Sequence, residues 1–202
     1  MKLLNIFITK LKNFKSKNKN VLILGSGGTS NTAYVLCKNL KAREVVKVSR
    51  VDGKNNINKD DSNCKIVRYE DLKGDFLNYD FIINTTPVGM FPNVDVSPIE
   101  VNKFKKLEGV IDVIYNPLTT KLVNAAKKLG IKSCNGLYML IMQAVVASYY
   151  FNLLFDKNSE EKLDKAINSN NDINSEIDIY IKNKMNEICE IEKELFQSYN
   201  SV

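Results

Sequence analysis

Between Asn20 and Leu40 the chain runs through four consecutive apolar side chains, breaks into GSGGTS, and resumes with apolar residues at helical spacing. The run NVLILG has the character of a strand buried on both faces. In TSNTAYVLCKNLK, Ala33, Leu36, Cys37 and Leu40 return every three or four residues, as on a helix with one face turned inward. A strand leading straight into a helix commits the chain to parallel pairing, because the helix must carry it back across the sheet before the next strand starts.

The later segments repeat that alternation. EVVKVSR, CKIVRYEDL, YDFIINTT and GVIDVIY read as further strands, and TTKLVNAAKKLG reads as a helix closed by Gly130 with Ala125, Ala126 and Leu129 among its buried positions. The expected fold is therefore α/β: a Rossmann-like, doubly wound, mainly parallel sheet, followed by a C-terminal amphipathic helix. Residues 1–17 carry a helical stripe of Leu3, Leu4, Phe7, Leu11 and Phe14, and 18–155 form the sheet domain. Composition turns to Asn, Ser, Asp and Lys over 156–174, a polar linker, and 175–202 place Ile177, Ile181, Ile188, Ile191 and Leu195 on one stripe.

Composition excludes several chemistries. The four cysteines are scattered without a CxxC pair and there is no histidine, so neither a metal site nor a Cys/His nucleophile is expected. The net charge of +6 comes from lysines spread thinly along the chain, a solvated surface rather than a nucleic-acid or membrane face. The N-terminal MKLLNIFITKLKNF is too short and interrupted for a membrane helix or signal. GLYMLIMQAVVASYYFNLLF is broken by Gln143, Ser148 and Asn152 and reads as a helix packed on the sheet or on a neighbouring domain. A soluble, cytoplasmic protein is expected. If that helix lacks its usual cover, Tyr149, Phe151 and Leu154 would expose an apolar patch and the chain would self-associate as a homodimer or with a partner subunit.

The glycine loop is where function enters. Gly25, Ser26, Gly27, Gly28 and Thr29 lie between the first strand and first helix, where backbone N–H groups and the positive helix end receive a pyrophosphate. The match to GxGxxG is partial, with Ser30 in place of the last glycine. The second strand ends in Ser49 and Arg50, with Lys54 beyond, where a ribose-binding acid would select NAD. Two cations there favour the extra phosphate of NADP.

INTTPVGMFP (83–92), DVIYNPLTTKLVNAAKKLGIKSCNGLYMLIMQA (112–144), GSGGTS and SRVDGK together resemble the cofactor half of the shikimate dehydrogenase family, over roughly residues 18–155. Ser49 and Val51 replace the family's asparagine and threonine around Arg50. The resemblance implies that Gly25 to Thr29 bind the pyrophosphate of NADP, that Ser49, Arg50 and Lys54 surround its adenosine phosphate, and that Thr85, Thr86, Pro87, Val88 and Met90 form the loop under it. Val113, Gly136 and Met139 would lie beside the nicotinamide, and Tyr115 and Gln143 would touch the substrate. It further implies NADP-dependent reduction of 3-dehydroshikimate to shikimate, a step in aromatic amino acid biosynthesis, with a Lys and an Asp from an N-terminal substrate domain handling the proton. Their motifs do not occur before the glycine loop, so the expectation is a cofactor half with no catalytic residue of its own, engaging shikimate or 3-dehydroshikimate only with a substrate domain. The other proton donors on hand are Lys121 and Tyr115. A noncatalytic NADP-binding protein and a protein-interaction module remain as alternative readings. MNEICEIEKELF also resembles the first helix of all-helical chorismate mutases, with Met185 where that class carries an arginine.

Overall fold

The computed structural model describes residues 17–50, 64–155, 179–180, 182–184 and 186–187. In chain order these form β1 (Asn20–Leu24), α1 (Gly28–Asn39), β2 (Glu44–Ser49), β3 (Lys65–Arg68), β4 (Phe81–Asn84), β5 (Gly109–Asp112), α2 (Lys121–Lys128), β6 (Lys132–Cys134) and α3 (Leu137–Phe155). The chain divides into two compact units, residues 1–140 and 141–202. The helical stripe expected over residues 1–17 falls almost wholly outside the described residues, as do the polar linker, the stripe from Ile177 to Leu195, Lys54 and Val51.

In the first unit six strands pair in the order β3-β2-β1-β4-β5-β6, all parallel. The order reverses at β1, whose neighbours are β2 and β4, so a crevice opens beyond the C-terminal ends of β1 and β4. The alternation of side chains along β1 sorts two cores. Val21 and Ile23 join Ala33, Leu36 and Cys37 of α1 on one face, while Leu22 and Leu24 join Leu122 and Ala126 of α2 on the other. Both faces are covered, which is why the strands read as continuous apolar runs.

On β2 the same alternation turns Lys47 onto the α1 face, where it is buried. Its ammonium donates to Asn31 Oδ1 at 2.7 Å and lies 5.0 Å from the Tyr34 ring centre. A buried charge is tolerable when it is hydrogen-bonded in this way.

Two expectations need correction. Leu129 is 52% exposed rather than buried, because α2 ends at Lys128 and Leu129 is its C-cap; the inward positions are Leu122, Val123 and Ala126. The sixth strand, KSC, was not foreseen; three residues with one apolar side chain carry no periodic signal.

In the second unit the later part of α3 buries Met142 and Val145. Tyr149 meets Tyr180 edge-on, with ring centres 5.2 Å apart, and Ser148 Oγ lies 3.1 Å from the Tyr180 hydroxyl. Phe151 is 60% exposed. No described helix is long and apolar enough to cross a membrane.

Candidate dinucleotide site

A cavity of about 900 Å³ opens at the reversal of strand order. Its lining draws mainly on Gly25 to Gly27 after β1, Val48 to Arg50 at the tip of β2, and Thr85 to Asn93 after β4, with Tyr69 and Val96 to Pro98 completing the wall. Of the residues singled out in the sequence, it gathers Gly25, Ser26, Gly27, Ser49, Arg50, Thr85, Thr86, Pro87, Val88 and Met90. Backbone bonds fix the segments to one another: Gly25 N donates to Val48 O at 2.8 Å and Thr85 N to Leu24 O at 2.9 Å.

The glycines of the loop differ in what they serve. Gly25 has φ +113°, and a Cβ there would stand 2.6 Å from Thr85 Oγ1, so the fold itself requires it. A Cβ on Gly27 or Gly28 would meet nothing within 4 Å. Their bareness leaves a cradle open to an incoming group. Gly28 and Thr29 open α1, whose N-cap Gly27 offers no side-chain cap and whose first turn holds no acidic residue. Its leading N–H groups and positive end therefore suit an anion, and a pyrophosphate fits the cradle.

The three arginines occupy distinct settings. Arg43, before β2, donates to Asn20 Oδ1 at 2.9 Å, and Arg68 pairs with Glu70 and Asp71 at 3.6 and 3.5 Å. Arg50 stands exposed on the cavity wall. Ser49 Oγ is 3.3 Å from Ser26 Oγ, linking the β2 tip to the glycine loop. Tyr69, which the sequence reading passed over, lines the same end; burial pushes its hydroxyl up to about 12, partly offset by the Arg50 charge. An aromatic one residue past a strand gave no signal.

No protein-family model matches the chain. A shikimate dehydrogenase (NADP(+)) of Methanococcus maripaludis is 41% identical over 136 residues, which cover 64% of this chain and 48% of the relative. The solved chorismate mutase/shikimate 5-dehydrogenase fusion protein of Clostridium acetobutylicum superposes with a TM-score of 0.66 at 30% identity, covering 83% of this chain and 61% of that one. Over the matched span the chain is similar to shikimate dehydrogenases. It spans about half the length of the curated relatives it matches. The shikimate 5-dehydrogenase of Thermus thermophilus, solved in complex with NADP(H) and shikimate, aligns with a TM-score of 0.58 at 25% identity, covering 74% of this chain and 54% of that one.

The positions that family resemblance assigned to the nicotinamide and substrate edge are placed as follows. Gly136 is held by its N–H donating to Ile114 O at 2.8 Å, and a Cβ on it would stand 1.9 Å from Val113 O, so only glycine lets α3 start against the end of β5. Met139 packs on the α1-side core. Tyr115, 47% exposed, lies on the β5–α2 connection, which receives the cavity loop through Phe91 N donating to Asn116 O at 3.1 Å. Gln143 is exposed and falls in the second unit. Lys121 donates to the Asp95 carbonyl at 2.7 Å. Cys37 and Cys134 have their thiols pushed up to about 12 by burial, with the Asp112 charge adding at Cys134, so both are poor nucleophiles.

Behind the site lies a buried polar chain that the sequence reading missed. Asp112, fully buried at the end of β5, accepts from Asn84 Nδ2 at 3.0 Å, Ile114 N at 3.1 Å and Thr120 Oγ1 at 2.6 Å. Asn84 Oδ1 in turn accepts from Thr86 N at 3.0 Å and Thr86 Oγ1 at 2.7 Å. The only trace in the sequence is that two apolar strands, FIIN and GVID, each end in a polar residue.

Proposed function

We propose that these 202 residues are the NADP(H)-holding part of a shikimate dehydrogenase, serving the reduction of 3-dehydroshikimate to shikimate. The observation that carries this is the cavity at the strand-order reversal, which joins an open glycine cradle, an arginine at the β2 tip and the Thr85–Met90 loop. The likeness to shikimate dehydrogenases (NADP(+)) supports the choice of cofactor and substrate. In this reading the first turn of α1 and Gly25 to Thr29 hold the pyrophosphate. Arg50 and Ser49, joined by Lys54, hold the adenosine phosphate. Thr85, Thr86, Pro87, Val88 and Met90 support the rest, with Val113, Gly136 and Met139 toward the nicotinamide.

NADPH bound in this way would supply the hydride that turns the ketone into an alcohol. The chain's own share is to hold and orient: Tyr115 and Gln143 offer a hydroxyl and an amide to the substrate, and Met90 and Phe91 present apolar surface at the cavity. Proton delivery to the new alkoxide falls to a Lys and an Asp of a substrate domain. Calorimetric titration of the full chain with NADPH and NADH tests the reading. NADPH should bind more tightly, with the gap closing as salt is raised, because an ion pair makes the difference. Equal affinity for both, or for neither, would overturn it.

A further inference from the structure

We infer that Asp112 is a positioning residue that sets the donor and acceptor directions holding the cavity loop and the Tyr115 segment together. The inference rests on the cofactor reading above and names how its site is held in shape. Three donors converge on this carboxylate from three places: Asn84 at the root of the cavity loop, Ile114 next to Tyr115, and Thr120 at the N-cap of α2. That convergence is the arrangement of an ionised carboxylate, which accepts only.

An acceptor-only group fixes the direction of every bond that follows. Asn84 must turn its amide NH2 to Asp112, and so presents its oxygen to Thr86 N and Oγ1. Thr86 Oγ1, having given its hydrogen to Asn84, is left to accept from Val88 N at 3.3 Å. Thr85, Thr86 and Val88 line the cavity. On the other side Thr120 gives its hydrogen to Asp112 and accepts from Val123 N at 3.3 Å. Directly between them, Asp112 Oδ1 holds Ile114 N, one residue from Tyr115. With an amide in place of the carboxylate, either Asn84 faces a second NH2 or Thr120 loses its acceptor, and the loop's bonds lose their single direction.

The test uses the full chain and three variants, Asp112→Asn, Thr120→Val and Thr120→Ser, read by NADPH fluorescence titration and by amide hydrogen exchange without cofactor. Asp112→Asn and Thr120→Val should weaken NADPH binding about tenfold while melting cooperatively, and Thr120→Ser, which keeps the hydroxyl, should bind within about twofold of the parent. In Asp112→Asn the amides of 85–88 and 114–116 should exchange faster together while β1 and β2 keep their protection. A parent chain that binds NADPH beside an Asp112→Asn variant of equal affinity and unchanged exchange would overturn the inference. If the parent binds no NADPH, the cofactor reading fails by itself, and the exchange arm decides alone: joint loosening of the two segments upholds the role of Asp112, and unchanged protection removes it.

Discussion

Arg50 and Gly136 show two different ways in which a single residue serves the proposed cofactor reading. Arg50 contributes charge at an exposed position on the cavity wall, so replacing it should leave the fold untouched. Arg50→Ala is expected to lose about 1.5–3 kcal/mol of NADPH affinity, the worth of a hydrogen bond to a charged group, and to leave NADH affinity nearly unchanged; paired titrations check it. Gly136 contributes the absence of a side chain. Adding a Cβ 1.9 Å from the Val113 carbonyl oxygen forces backbone apart, so Gly136→Ala should destabilise by roughly 3 kcal/mol or more, beyond the usual overpacking range, read as a fall in the denaturant midpoint. Arg50 was legible because arginine is rare here and its place at a strand end has a chemical meaning. The steric need at Gly136 was not, since it depends on a carbonyl twenty-three residues away in sequence. Tyr69 and Asn84 escaped for the same reason: their meaning comes from neighbours that only the sheet brings together.

At the level of elements, strands with both faces covered and helices with one inward face announced themselves through period, which is why β1, α1, β2, β4 and β5 were read from the sequence. β6 was invisible because it holds the sheet edge by backbone pairing with β5 rather than by apolar side chains. The polar ends of β4 and β5 could be read as polar but not as a network. That network has a pH signature. Burial raises the Asp112 carboxyl from its ordinary value, against the opposing pull of its bonds from Thr120, Ile114 N and Asn84. A raised folded-state value means that the native protein keeps this proton to higher pH than the unfolded chain does. Stability from this group is therefore present at acid pH and is lost as pH rises from the unfolded value through the folded one, after which the loss is constant. The ionised carboxylate thus orders the site at some cost in stability. Melting of Asp112→Asn and parent across the acid range should show the variant gaining relative to the parent as pH rises through that window, then a constant offset at higher pH. A parent that gains on the variant over the same window would show the opposite sign of coupling.

For the molecule as a whole, the question is what a cofactor-holding unit can accomplish with the groups it has. Efficient reduction of a carbonyl needs the ketone held in near-attack geometry and a proton delivered to the oxygen as charge develops. In the proposed reading the cavity answers the hydride donor's side of that requirement. Tyr115 is exposed on its loop and Lys121 gives its ammonium to the Asp95 carbonyl, and neither is among the residues that line the cavity. General acid–base help is worth roughly 10²–10⁴-fold, and a misplaced substrate can cost about 10²-fold, so the 202 residues by themselves should bind NADPH without measurable turnover of 3-dehydroshikimate. Adding a separately expressed substrate domain of the family should restore NADPH consumption, followed by absorbance. The restored rate should fall in Tyr115→Phe and Gln143→Ala if those side chains touch the substrate. Robust turnover without the added domain, abolished by Tyr115→Phe, would instead make Tyr115 the acid and this chain a complete catalyst. The cofactor site would stand in that case, because the cradle, Arg50 and the loop after β4 do not depend on where the proton comes from.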